Sequence, residues 1–93
     1  MVNKYEAALV LSVANGDEAV EALKAKFNEL IEKNGTIENV DDWGKRRLAY
    51  LINDEAEGYY VFTTFTAEPT FPAEYERIAG ITEGVLRALV IKK

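Results

Sequence analysis

The sequence predicts an α+β domain in which a four-stranded antiparallel sheet carries two helices on one face. Apolar side chains alternate in four segments and recur every three or four positions in two others, in the order strand, helix, strand, strand, helix, strand. Two right-handed crossovers then place both helices on one side, with the first and third strands central and the second and fourth at the edges. This is the ferredoxin-like β-α-β-β-α-β arrangement, and it leaves the other face of the sheet open.

The first strand is predicted at residues 4–13, where both faces are apolar, as in a central strand. A turn at residues 15–17 leads into a helix with Asp17 as its N-cap. Gly35 is predicted to end this helix in the left-handed conformation. The helix itself is indicated by apolar residues at helical spacing: Val20, Leu23, Phe27, Leu30 and Ile31.

The second half of the chain predicts the remaining elements. A long strand covers residues 36–52 with a bend or bulge near Gly44, a polar hairpin loop follows at 53–58, and an aromatic, β-branched strand covers 59–67. A short helix with Phe71, Tyr75 and Ile78 at helical spacing is predicted to stop at Gly80. The last strand is predicted at 85–91, with one face formed by Val85, Arg87, Leu89 and Ile91.

Composition narrows the possible functions. The 93 residues predict a single domain, 1–93, and contain neither Cys nor His, so thiolate chemistry, disulfides and imidazole bases are absent. The pair Asp41-Asp42 lacks the converging oxygens of a metal site and is interpreted as solvated surface. We therefore expect no catalytic residue, metal or cofactor. With no apolar segment long enough for a bilayer, we also expect a cytoplasmic protein without a membrane partner.

Charge is distributed unevenly along the chain. The formal net charge is -5, and acidic residues dominate positions 17–42, whereas Lys45, Arg46 and Arg47 are adjacent. Alternation puts Lys45 and Arg47 on one face of the strand and Arg46 on the other. Arginines bind phosphate through a planar fork, but charges on an edge strand also protect it from aggregation. The sequence leaves both interpretations of the basic run open.

Aromatic residues near this run also allow two interpretations. Trp43 lies beside Gly44 and is predicted either to pack in the core or to anchor an interface. The segment at 58–62 is similar to the strand of an RNA-recognition motif that stacks on nucleotide bases. In that motif the preceding position is Lys or Arg, whereas this chain has Glu57. Tyr60 also stands where that motif has a small residue. These rings are therefore interpreted as packing residues.

Four motifs occur in order along the chain: Lys4-Tyr5-Glu6, Trp43-Gly44-Lys45-Arg46-Arg47-Leu48-Ala49-Tyr50, Glu57-Gly58-Tyr59-Tyr60-Val61 and Val85-Leu86-Arg87. Together they resemble the ribosomal protein S6 family of the bacterial small subunit. The resemblance covers essentially the whole chain in order, and its central motif, with an Arg-Arg-Leu-Ala-Tyr core, is specific. Leu51 departs from the family, where many members have Pro, and the chain ends without the C-terminal extension that some members carry.

The resemblance implies a ferredoxin-like, non-enzymatic component of the small ribosomal subunit that acts in subunit assembly and translation. It implies pairing with ribosomal protein S18, a heterodimer that binds the central domain of small-subunit ribosomal RNA, and no small-molecule substrate. Carried over by position, Trp43 and Tyr50 are candidates for the protein partner. The candidates for RNA are Lys45, Arg46, Arg47, Arg87, Lys92 and Lys93, with Arg46 and Arg47 foremost and able to contact either RNA phosphate or the partner protein.

Two other classes of function use the same fold. A small ligand-binding regulatory domain predicts a homodimer with a pocket, but it gives no reason for the basic run. A hydrolase of the acylphosphatase type requires a Gly-rich phosphate loop after the first strand, which residues 12–16 do not match.

Overall fold

The computed structural model describes residues 2–52 and 55–93 and contains the six predicted elements in the predicted order. The strand order in the sheet is β2-β3-β1-β4, and every neighbouring pair is antiparallel. The predicted fold, with central first and third strands, is therefore confirmed. The elements are β1 (Asn3–Leu11), α1 (Asp17–Asn34), β2 (Gly35–Ile52), β3 (Glu55–Ala67), α2 (Phe71–Ile81) and β4 (Val85–Lys92).

The two ends of α1 differ from the prediction. Gly16, with a φ of 88°, occupies the N-cap position, and Asp17 is the first helical residue, where its charge favours the helix dipole. At the other end Gly35 is extended, with a φ of -175°, so it is not a left-handed cap. A Cβ on Gly35 would lie 2.0 Å from the carbonyl oxygen of Thr66. Glycine is required there because β2 begins directly against the backbone of β3.

The β2–β3 hairpin also differs from the prediction. The predicted loop at 53–58 is wrong for residues 55–58, which already belong to β3, while Asn53 and Asp54 lie outside the described residues. Within the hairpin, Arg46 pairs with Gly58 and Arg47 with Glu57. The polar composition of this segment suggested a loop, but a strand near the end of a sheet can be equally polar because solvent surrounds its side chains.

Strand β4 contains a bulge that alternation alone did not predict. Val10 pairs with Arg87 and Leu11 with Val85, so Leu86 has no partner between them. The extra residue reverses the alternation, and Val85 packs against the helix-covered core while Arg87 lies on the open face. The predicted common face of residues 85, 87, 89 and 91 is therefore wrong for Val85.

The core lies between the sheet and the two helices. Phe65 is fully buried, and its ring centroid is 5.7 Å from that of Phe71 and 5.8 Å from that of Tyr5. Tyr75 of α2 joins this cluster to Phe27 of α1 at 5.3 Å. Helix α2 continues one residue past the predicted stop at Gly80. The helix-covered face is thus closed by aromatic packing, whereas the open face of the sheet and its edges remain accessible to partners.

Candidate functional site

A bulge in the edge strand β2 determines where Trp43 lies. Asp42 pairs with Val61 and Gly44 with Tyr60, so Trp43 has no partner, and Gly44 adopts a φ of 77°. The bulge predicted near Gly44 is thereby confirmed.

The Trp43 ring lies on the open face of the sheet. Its centroid is 4.7 Å from that of Phe62, and its Nε1 donates a hydrogen bond of 2.9 Å to the Asp41 carboxylate. Trp43 is 49% exposed, so it is not a core residue. Of the two interpretations that the sequence allowed, this position agrees with an interface residue.

The basic run follows the bulge. Lys45 pairs with Tyr59 and Arg46 with Gly58, so Lys45 and Arg47 lie towards the helix-covered side while Arg46 lies towards the open face. All three side chains are exposed. Within residues 2–52 and 55–93, none of the three forms an ion pair. Their charges are therefore not neutralised by the described part of the chain.

The last part of β2 crosses the open face and forms a groove. Residues 48–51 of β2 lie opposite the single residue 56 of β3, and this irregular stretch lets Leu48 become buried. A Cβ on Gly58 would lie 2.6 Å from Cγ1 of Val10 and 3.4 Å from Cδ2 of Leu48, so Gly58 allows these two side chains to approach. The groove has a volume of about 280 Å³ and is lined mainly by Ala8, Val10, Leu48, Tyr50, Phe62 and Leu89.

Arg87 and Tyr50 meet at the mouth of this groove. The guanidinium Nη1 of Arg87 donates a hydrogen bond of 2.7 Å to the Tyr50 hydroxyl. Tyr50 is 60% exposed, and the two residues come from the opposite edge strands of the sheet. The structure thus brings together two predicted site residues that the sequence had assigned to different partners. A cation and a phenol above an apolar floor can bind an aliphatic or aromatic side chain and an adjacent acceptor.

The predicted site residues lie at two ends of the sheet. Arg87 lies in the same cross-strand row as Gly44, because Gly44 pairs with Tyr60, Tyr60 pairs with Val10, and Val10 pairs with Arg87. Lys92 instead lies in the row of Phe65, about 17 Å away along β3 at roughly 3.3 Å per residue.

The two C-terminal lysines are therefore separated from the other candidates. Lys93 lies beside the first strand, where its Nζ is 3.8 Å from the Glu6 carboxylate. Arg87, Tyr50, Trp43 and the basic run share one end of the sheet, and Lys92 and Lys93 share the other.

A charged cluster beside the bulge was missed by sequence reasoning. Nζ of Lys24, on α1, lies 2.5 Å from Oδ2 of Asp42, and Oδ1 of the same carboxylate accepts the Gly44 N–H at 3.1 Å. The hydrogen bond from Lys24 to Asp42 raises the pKa of Lys24 above its usual value. Burial opposes ionisation of Asp42, but its bonds to Lys24 and Tyr59 outweigh burial and lower its pKa. The available signal was the Asp-x-Gly spacing, since an Asp side chain often accepts from the backbone two residues on.

The described residues also show whether the domain has the side chains for a metal site or a helix that could span a membrane. Among the described residues, no group of three or more acidic side chains is arranged to hold a metal ion. Neither helix in that part of the chain is long and apolar enough to cross a membrane.

Comparison with known proteins identifies the family. The model of the family described as ribosomal protein S6 matches residues 4–92. The chain belongs to the ribosomal protein S6 family. The predicted resemblance is therefore confirmed.

Two relatives show how closely this S6 chain follows its family. The small ribosomal subunit protein bS6 of Clostridium perfringens is 47% identical over 93 residues, covering 99% of this chain and 98% of the relative. The bS6 protein of Clostridium novyi is 45% identical over 91 residues, covering 97% and 96%. Both relatives are proteins of the small ribosomal subunit.

A crystal structure supports the fold independently. The 30S ribosomal protein S6 of Thermotoga maritima matches with a TM-score of 0.92 at 24% identity, covering all of this chain and 89% of that one. At this identity the likeness shows the fold.

Proposed function

We propose that this S6 protein is a non-enzymatic structural constituent of the small ribosomal subunit, located on cytoplasmic ribosomes. In this proposal it binds the central domain of small-subunit ribosomal RNA together with ribosomal protein S18 and serves subunit assembly and translation. Family membership supports the ribosomal role. The observation that carries the binding role is the exposed run Lys45–Arg47, which forms no ion pair within the described residues and lies next to an apolar groove. The two surfaces suit two different partners.

The RNA-binding half of the proposal rests on charge. Arg46 and Arg47 are exposed, and the guanidinium fork matches the geometry of phosphate oxygens. The net charge of -5 means that this chain contributes few phosphate contacts, so a more basic partner would supply most of the electrostatic attraction. Lys92 and Lys93, at the far end of the sheet, would add a separate and weaker contact.

The protein-binding half rests on the groove. Its floor is apolar, and Tyr50 and Trp43 are large aromatic side chains on the same face that remain about half exposed or more. Exposed aromatics near an apolar groove are typical anchors of protein interfaces. In this arrangement Arg87, which the sequence predicted to contact RNA, instead orients the S18 segment that fills the groove, because it is bonded to Tyr50. RNA is bound by the adjacent basic run.

The test is RNA binding across a salt series. The variant Arg46→Ala with Arg47→Ala is compared with the wild-type protein for binding a central-domain RNA fragment, alone and with S18. We expect the variant to bind more weakly in the presence of S18, with a salt slope that falls by roughly 1 for each phosphate it no longer neutralises. Equal affinity and an equal slope in the variant would contradict the role of these arginines.

A matched control uses a cation on the opposite side of the molecule. Arg77 lies on α2, is exposed, and forms an ion pair with Glu74. Arg77→Ala removes the same type of charge from the helical layer, away from the open face. We expect the RNA affinity and the salt slope of this control to equal those of the wild-type protein.

A further inference from the structure

The carboxylate of Asp42 joins helix α1 to the bulge in β2. One oxygen, Oδ2, lies 2.5 Å from Nζ of Lys24, and the other accepts the backbone N–H of Gly44 at 3.1 Å. Asp42 thus holds the backbone at Gly44, the residue after Trp43, and is itself held by Lys24 of α1.

Lys24 is not an ordinary solvated surface lysine. Its side chain is only 14% exposed, and its ammonium lies within hydrogen-bond distance of three acceptors on Glu21, Asp42 and Tyr59. An ammonium carries three N–H donors, so this set of partners can satisfy all of them. The aliphatic stem brings Nζ to 5.0 Å from the Tyr59 ring centroid. A lysine held by three acceptors from three segments of the chain is suited to fix the position of Asp42.

The bulge decides which face each following side chain occupies. In a regular strand, alternation from Asp42 would place Arg46 on the helix-covered side. The extra residue at Trp43 reverses this order, and Arg46 instead pairs with Gly58 on the open face. Losing or moving the bulge would therefore rotate the entire basic run relative to the groove.

We propose that Lys24 is a positioning residue that locks the Gly44 bulge through Asp42, and so holds Trp43 and Arg46 on the open face beside the groove. The consequence for binding rests on the proposed function, whereas the effect on the bulge does not. The ring of Trp43 has its own contacts with Phe62 and Asp41, but these hold the side chain. The backbone at Gly44 is held by Asp42, and Asp42 is held by Lys24.

The first measurement uses the free protein and the variant Lys24→Met, which keeps an apolar stem and removes the ammonium. Trp43 is the only tryptophan, so its emission and its acrylamide quenching report on the bulge alone. We expect stronger quenching of Trp43 and exchange of the Gly44 amide hydrogen that is faster by about fivefold or more. The variant Asp42→Asn should give the same changes, and it replaces Lys24→Met in this measurement if Lys24→Met does not fold.

The matched control is Glu74→Gln, which removes the Arg77 ion pair on α2. This change should leave Trp43 quenching and Gly44 exchange unaltered. If Lys24→Met lowers the denaturation midpoint but leaves both readouts at the wild-type value, Lys24 contributes only stability and the inference is wrong. The variant Lys24→Arg retains a cation, so its Trp43 should be quenched less strongly than in Lys24→Met and closer to the wild-type level.

The second measurement separates this inference from the proposed function. Affinity for S18 and the RNA fragment is measured for Lys24→Met, and we expect a loss of about tenfold. A mobile Trp43 with unchanged affinity would overturn the positioning role in binding. If the wild-type protein itself fails to bind RNA with S18, the proposed function is wrong, while the free-protein readouts still decide whether Lys24 locks the bulge.

Discussion

The two faces of the sheet are built from the same strands but differ in how they are covered. On the helix-covered face, Phe65 is fully buried among aromatic rings of both α2 and β1. On the open face, Phe62 of the same strand is only partly buried and contacts Trp43 at 4.7 Å and Tyr60 at 6.3 Å. Alternation along β3 therefore separates residues that stabilise the fold from residues that remain available to partners.

An aromatic side chain in this sheet has a role set by the face on which it lies. The open-face rings pack mainly with one another, and water reaches them because no helix covers them. Their burial contributes less to folding, since hydrophobic stabilisation scales with the area removed from water. An uncovered cluster of this kind is typical of a surface that is completed by a partner.

The sharpest test of the difference between the faces is the pair Phe65→Ala and Phe62→Ala. We expect Phe65→Ala to lower the free energy of unfolding by about 3–5 kcal/mol, because it leaves a cavity in a closed core. We expect Phe62→Ala to cost less than about 2 kcal/mol, because that ring is already partly solvated. Urea denaturation measures both, and losses of equal size would contradict the distinction between the faces.

A smaller effect is expected from Gly58→Ala, which tests how the groove is formed. The new methyl group would lie 2.6 Å from Cγ1 of Val10, so Val10 or Leu48 must move. We expect a loss of about 1–3 kcal/mol in unfolding free energy, as for other overpacked sites, together with weaker S18 binding. Gly80→Ala is the control, because open space surrounds that position near the end of α2 and alanine favours a helix.

The smallest expected effect is on acid stability. Because the pKa of Asp42 is lowered from its usual 3.8 in the folded state, its contribution to stability is present above that pH and is lost as the pH falls below it. The raised pKa of Lys24 gives a contribution to folding stability that is fully present below pH 10.5 and is lost only at higher pH. Both contributions are therefore complete between about pH 5 and 10.

The measurement for this effect is the denaturation midpoint as the pH falls from 5 to 2. We expect Asp42→Asn to lose less stability than the wild-type protein over this range, by less than about 1 kcal/mol, because Asp42 is 37% exposed. Lys24→Met should reduce the acid dependence in the same way, because it removes the cation that lowers the Asp42 pKa. A variant as acid-sensitive as the wild-type protein would show that the pair contributes nothing to the pH dependence.

The sequence by itself determined the six elements, their order and the ferredoxin-like topology. Alternation and helical spacing are local properties, and crossover handedness leaves few ways to assemble them. The run at residues 43–50 also carried the family resemblance that comparison with known proteins confirmed. The positions of Lys45, Arg46 and Arg47 relative to one another followed from alternation, because no bulge interrupts those three residues.

Only the tertiary structure decided which face each segment presents. The bulges at Trp43 and Leu86 reverse alternation, and they depend on pairing with a distant strand rather than on local preference. The same is true of Gly35, whose contact with β3 is remote in sequence, and of Lys24, which meets Asp42 across 18 positions. Local patterns predict periodicity, but strand register is set by the packing of the whole sheet. The groove and its positioning contacts therefore emerged only once the strands were paired.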